Sequence, residues 1–398
     1  MATDENPSTS DDLTEEIKLD GLQDIDLLKI SDVEDQGLAK EYHLSKLMVG
    51  IASQLITTLI LLLLWFVGLD DIFAKIVGMS YSVLSISGMF ILVTLLATVL
   101  SLPFDIYSNV LERRYDFSTE TWKKWGVNQL KSLALNLVLM GTAVVTLYFA
   151  IDISPEFWWF YGFLGAFVFL AFIQTISPLV LIPLFMKIEP LPDGEVREKV
   201  EVLAKHMGIS YKDIYLLRMS QQTKKANAMV TGFGNSIRIV LGDTLVNNFR
   251  ADEIEVVMAH EIGHQKNKDV YRILIFLGFF LLLVFFLIDL GFQAVIDLFS
   301  YSSKSDPRTM FYMVVAISTL FFIFQPVLNY YSRTREKAAD LLAIREIGNL
   351  DVYESAFTRL AKQNLAYLHP SKLDIIFNYS HPPILERIRY AKEEIESA

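Results

Sequence analysis

Charge is missing from this chain over distances that few soluble folds tolerate. No charged side chain occurs between Lys46 and Asp70, nor over residues 76–104, 132–151, 157–186 and 309–332. A helix crosses the hydrocarbon layer of a bilayer with roughly 20 apolar residues, and each of these runs is long enough. A sixth run, 273–288, meets Asp289, but apolar residues continue to Val295. We count it as a span with a polar residue near its far end. The 53% hydrophobic content of the 398 residues is also more than one water-soluble core would bury. The fold class expected is mainly α: a polytopic helical membrane protein with six spans, to which a small α+β domain is attached.

Lys and Arg set the orientation, because the short connections that carry them stay cytoplasmic. The connection over 105–131 holds Arg113, Arg114, Lys123, Lys124 and Lys131, and the segment after the sixth span holds Arg333, Arg335 and Lys337. Both are predicted cytoplasmic, and an even number of crossings puts both termini and the segment 187–272 on that side. Lys304 and Arg308 on the opposite side run against the rule. Residues 1–41 form an acidic, polar tail without the features of a cleavable signal. The expected organisation is that tail, a membrane region at 42–187 with four spans, a soluble region at 188–271, the fifth and sixth spans at 272–332, and a C-terminal helical region at 333–398. The net charge of −11 argues against a nucleic-acid partner. Without cysteine, a metal would have to be held by His and carboxylates.

Within the soluble region, 227–230 and 237–241 read as a β-hairpin around Gly232, Gly234 and Asn235. The helix that follows, about 251–268, contains His260-Glu261-Ile262-Gly263-His264. Histidines four apart share a helix face and can reach one metal, and Glu261 beside them can deprotonate a water that zinc acidifies. Gly263 is a poor helix former, which points to a close neighbour at that position. The bland alternative is a pair of surface or capping histidines. A catalytic zinc needs a third protein ligand and an open position. Glu336 and Asp340 share a helix face, so one can bind the metal while the other holds a ligand histidine. We take Glu336 as the ligand and Asp340, with Arg333, as its support; the bland alternative is a solvated charged face after a span. A helical hairpin through the membrane brings the starts of the fifth span and the end of the sixth together, so a single zinc per chain should lie roughly 10 to 15 Å from those span ends. His43, His206 and His369 read as surface, linker or turn residues. Pro382 and Pro383 could simply start a helix, or His381 and Arg387 around them could reach the zinc site.

The combined pattern resembles the M48 metallopeptidases, most closely their type I CAAX prenyl protease group. The matching segments are Tyr42-His43-Leu44-Ser45-Lys46, 111–117 with Glu112, Asn227-Ala228, the HEXXH motif, Arg333 to Asp340, and His381-Pro382-Pro383 to Arg387. The resemblance implies a zinc endopeptidase in a cage of membrane helices, facing the cytoplasm. Its substrate would be a prenylated CaaX protein or another membrane-associated protein, cut near its C-terminus. It places His381 and Arg387 in the active site and the Asn227-Ala228 strand along the substrate. The membrane would be a bacterial inner membrane, or the endoplasmic reticulum in a eukaryote. Eukaryotic members have seven spans, and the first has no counterpart here. Two other readings are an HtpX-type quality-control protease and, with Asp289 as a pathway residue, a silent scaffold or transporter.

Overall fold

The computed structural model describes residues 36–232 and 237–397. Most of the acidic segment lies outside the described residues. Residues 36–41, expected in the tail, instead open the first long helix, α1 (Gln36–Phe66). Contacts explain the difference: the Gln36 side chain bonds the carbonyl of Ala366 and the N–H of Leu368, and Ala39 is fully buried.

The chain then runs through α2 (Leu69–Val77), α3 (Val83–Arg114), α4 (Trp122–Ile153) and α5 (Trp158–Ile176), the last prolonged by a π-helical turn and Ile182–Phe185. Strand β1 (Ile188–Pro190), α6 (Glu195–His206), β2 (Ile214–Leu217), β3 (Ala228–Thr231), β4 (Arg238–Gly242), α7 (Asp243–Asn248) and α8 (Ala251–Lys266) make the soluble region. Two long helices follow, α9 (Asp269–Phe299) and α10 (Thr309–Ile347), and then α11 (Leu350–Asn364), α12 (Lys372–Asn378) and α13 (Ile384–Ser397). Among the described residues, six helices are long and apolar enough to cross a membrane: α1, α3, α4, the α5 segment, α9 and α10.

Three boundaries differ from expectation. The second span begins at Val83, because α2 is a separate helix closed by Gly78 at φ +105°. Residues 105–131 are mostly helix rather than loop. Charged residues mark where the hydrocarbon ends, but they do not stop a helix: Arg113 and Arg114 suit the C-terminal end of α3, and Thr121 caps α4 through the N–H of Lys124. Nor does the chain break at 332. Helix α10 has 39 residues, about 58 Å at 1.5 Å per residue, and so carries Glu336 and Asp340 out of the layer on the same rigid rod as the sixth span.

Apolar side chains from all six long helices form the core, with Met89, Tyr148, Trp158, Phe285, Phe292 and Phe311 among the buried residues. At the end away from the soluble region, polar groups tie the span ends together. Trp65 donates to the Tyr301 hydroxyl at 2.6 Å, and that hydroxyl donates to Asp70. Arg308 bonds Asp306 at 2.7 Å and Asp71 at 2.8 Å. Asp289 accepts from both Trp158 and Lys304.

The sheet order is β1-β2-β4-β3, with β2 and β4 parallel and the other pairs antiparallel. The expected hairpin is β3–β4, while residues 233–236 between its strands lie outside the described residues. Strands β1 and β2 were not foreseen. In the hairpin, β3 is an edge strand, and α8 packs beside it.

A candidate metal centre at the base of two membrane helices

Helix α8 begins where Glu253 turns back to accept the N–H of Arg250, and two residues after its end at Lys266 the chain breaks at Lys268, a non-glycine residue at φ +55°. That break redirects the chain into α9, so His264 and Asp269 face each other across it. Four residues apart on α8, the rings of His260 and His264 stand nearly perpendicular at 4.7 Å. Gly263 has a neighbour of the expected kind: a Cβ there would meet the Ala339 carbonyl oxygen at 3.4 Å. Helix α10 packs against α8 at this point and brings Glu336 over the two imidazoles, and a Cβ at Gly263 would make ordinary van der Waals contact there.

The ligand atoms converge. His260 Nε2 lies 3.2 Å from His264 Nε2 and 3.2 Å from Glu336 Oε2, and His264 Nε2 lies 3.4 Å from Glu336 Oε1. Tetrahedral ligands on zinc at about 2.0–2.1 Å stand about 3.3 Å apart, so this spacing fits the ion. Glu336 Oε2 is buried and has no hydrogen-bond partner among the described residues. A buried carboxylate oxygen without a donor is costly, and a cation on the open side of the triad would satisfy it.

The other nitrogens of both rings meet carboxylates. His260 Nδ1 is 2.9 Å from Asp340 Oδ1, and His264 Nδ1 is 2.9 Å from Asp269 Oδ2. This pattern holds the ring proton on Nδ1 and turns the Nε2 lone pair toward a metal. Asp340 was anticipated and Asp269 was not. Its only trace in the sequence is an acid five residues after His264, across a break that periodicity does not reveal. The electrostatics are those of a cation site. Burial disfavours a charged His264, yet Asp269 and Glu336 outweigh it and raise the imidazole to about 10. Burial also raises the Glu261 carboxyl above its ordinary range, with the two histidines pulling the other way.

Arg387 is largely covered and grips Asp340 through Nε at 2.9 Å and Nη2 at 2.6 Å, with Phe357 under its guanidinium at 4.3 Å. His381 is largely exposed, its Nε2 3.4 Å from Glu336 Oε1 and its Nδ1 beside the Ser380 hydroxyl. Arg333 touches none of the ligands. It donates to the carbonyls of Ile375 and Tyr379 and so holds the segment that leads to His381. His43 pairs with Asp374 at 2.7 Å and ties α1 to α12. A cavity of about 230 Å³ is lined by Asn227, Ala228, His260, Glu261, His381 and Arg387, and also by Asn364, which the sequence did not single out.

Residues 190–395 match peptidase family M48, and residues 26–187 match the N-terminal region of CAAX prenyl proteases, described as five membrane helices. Four helices long and apolar enough to span lie in the described part of that second match. The metalloprotease YhfN of Bacillus subtilis is 31% identical, covering 77% of this chain and 73% of its own. CAAX prenyl protease 1 of Saccharomyces cerevisiae is 31% identical over 75% of this chain and 70% of its own. The crystal structure of S. mikatae Ste24p superposes with a TM-score of 0.78 at 28% identity, over 93% of this chain and 91% of that one. With its HEXXH helix, its third carboxylate and its six spanning helices, this chain belongs to peptidase family M48 and is a membrane zinc metalloprotease.

Proposed function

We propose that this chain hydrolyses peptide bonds at a zinc ion held by His260, His264 and Glu336, and that it trims the C-terminal segment of a prenylated CaaX-type or other membrane-associated protein. The observation that carries the reading is a coincidence in space. His260 of the ligand triad, Glu261 and the edge strand at Asn227-Ala228 line one cavity, beside the ends of the fifth and sixth spans.

His260, His264 and Glu336 would hold the zinc, which would supply Lewis acidity toward a water and the scissile carbonyl. Glu261 takes the water's proton on its carboxylate and passes it to the leaving amine. Asp340 and Asp269 fix the ring protons of the two histidines. His381, exposed to the cavity, donates from Nε2 to the carbonyl oxygen as negative charge develops. Arg387 acts as a positioning residue, because its guanidinium is engaged by Asp340. The Ala228 carbonyl accepts from the peptide as from an added strand, and the Ala228 N–H joins once the peptide displaces the Asn227 side chain that holds it at 2.9 Å.

The site faces the cytoplasm on this reading, with Arg113, Arg114, Lys123 and Lys124 at the same end. Lys304 and Arg308, which run against the charge rule, are neutralised at the far end by Asp289, Asp306 and Asp71. Those pairings also give Asp289 a structural partner, which disfavours a transport pathway. The test is cleavage of a farnesylated CaaX peptide beside its unprenylated twin, in native protein and in Glu261→Gln. Prenyl-dependent cleavage that the substitution abolishes supports the proposal. Equal cleavage of both peptides would point to quality control, and cleavage by Glu261→Gln would remove the assigned base.

A further inference from the structure

Strand β3 pairs with β4 in the register Ala228↔Leu241 and Met229↔Val240, and the Gly242 N–H extends the ladder by donating to the Asn227 carbonyl at 2.9 Å. In an antiparallel ladder, alternate residues turn their N–H and C=O to opposite sides. Asn227, Met229 and Thr231 therefore face β4, and Ala226, Ala228 and Val230 face the free edge beside the HEXXH helix.

Midway along that edge the Ala228 N–H bonds the Asn227 side chain at 2.9 Å and its carbonyl has no partner among the described residues, while the two ends are closed by different devices. At Val230 one group is taken: the carbonyl accepts from Gln265 at 3.2 Å. At Ala226 both groups are taken by one side chain. The Ala226 N–H donates to Asn364 Oδ1 at 2.9 Å, and Asn364 Nδ2 donates back to the Ala226 carbonyl at 3.2 Å. The Asn364 amide thus stands where a neighbouring strand's peptide group would stand. Leu360 and Ala366 line the same cavity. The strand rises about 3.4 Å per residue, so only about 7 Å of edge separates Ala228 from this block.

Direction follows from pairing. A peptide added antiparallel to β3 runs from the Thr231 end toward the Ala226 end, so its C-terminus points at Asn364. We propose that Asn364 is a chain-length stop, which ends the substrate-binding edge at Ala226 and limits the residues a substrate can carry beyond the scissile bond. The proposal rests on the proteolytic reading above and adds to it a cause for C-terminal trimming. A longer tail would have to displace Asn364 before its own backbone could pair with Ala226, so it would gain no net hydrogen bond there and would leave the Asn364 amide without these partners, a penalty of about tenfold in rate.

The experiment is a ladder of prenylated peptides with one to six residues after the scissile bond, read by the masses of the products. It is run with the native protein, Asn364→Ala and Gln265→Ala. The native enzyme should show a sharp drop in kcat/KM above a fixed tail length. Asn364→Ala should shift that limit to longer tails, and Gln265→Ala should leave it in place because Gln265 lies on the retained side of the substrate. Cleavage of all lengths alike by the native protein would overturn the stop while leaving the protease reading intact, whether or not Asn364→Ala folds. An unchanged limit in a folded Asn364→Ala would also overturn it. Cleavage of no peptide at all would remove the proteolytic reading and the stop with it.

Discussion

The two ends of the helical bundle both carry buried charge, and they differ in how completely it is paired. At the far end, Asp306 is paired with Arg308 and Asp289 with Lys304, while Asp70 accepts a hydrogen bond from the neutral Tyr301 hydroxyl. At the soluble end, Glu336, Asp340, Asp269 and Glu261 crowd two imidazoles, and Arg387 is committed to Asp340. There one oxygen of Glu336 has no hydrogen bond among the described residues, whereas the Asp269 oxygen without one faces Arg335 at 3.8 Å. Charge that is fully paired holds spans together. Charge left over marks where a cation and a substrate belong.

The largest effect that would break this contrast comes from Glu261→Gln. It should lower turnover by about 10³-fold or more while leaving bound zinc unchanged, as read by peptide cleavage and metal analysis on the same preparation. Arg308→Met strikes the far end instead. Removing one partner of a buried pair leaves the other charge uncompensated, so thermal unfolding should show a loss of about 3 kcal/mol, with zinc content and cleavage per folded molecule unchanged.

Asp306 adds a pH signature to the same pair. Burial pushes its carboxyl up, but Arg308 and the N–H groups of Arg308 and Ser302 hold it below the ordinary range. Its stabilisation is therefore present above the unfolded carboxylate value of about 4 and is lost as pH falls through the depressed native value. Acid melting curves of native protein and Arg308→Met should converge there. Asp269→Asn and Asp340→Asn should each weaken zinc binding by about 10- to 100-fold in a chelator competition. The smallest effect expected is from Gly263→Ala, whose Cβ would sit in ordinary van der Waals contact with the Ala339 carbonyl, so zinc affinity in the same competition should change by less than about 1 kcal/mol.

The spans and the ligand triad were legible because each rests on a local rule: an uncharged run, histidines at i and i+4, and a helix hairpin that returns its ends to one side. What was hidden depends on tertiary contact. Strands β1 and β2 have three and four residues, too short for a period to show, and they exist through pairing with each other and with β4. Asp269 reaches His264 only because the chain turns at Lys268. Arg333 looked like part of the metal site from its place one turn before Glu336, but its side chain points to the carbonyls of Ile375 and Tyr379. The basic segment read as a long loop because charge was taken for the end of a helix.

The measurement that bears most directly on the account is the metal content of detergent-purified native protein, Glu261→Gln and Glu336→Ala. If the unpaired carboxylate is a metal ligand, the first two carry about one zinc per chain and Glu336→Ala carries almost none. Equal zinc in all three, or none in the native protein, would contradict it.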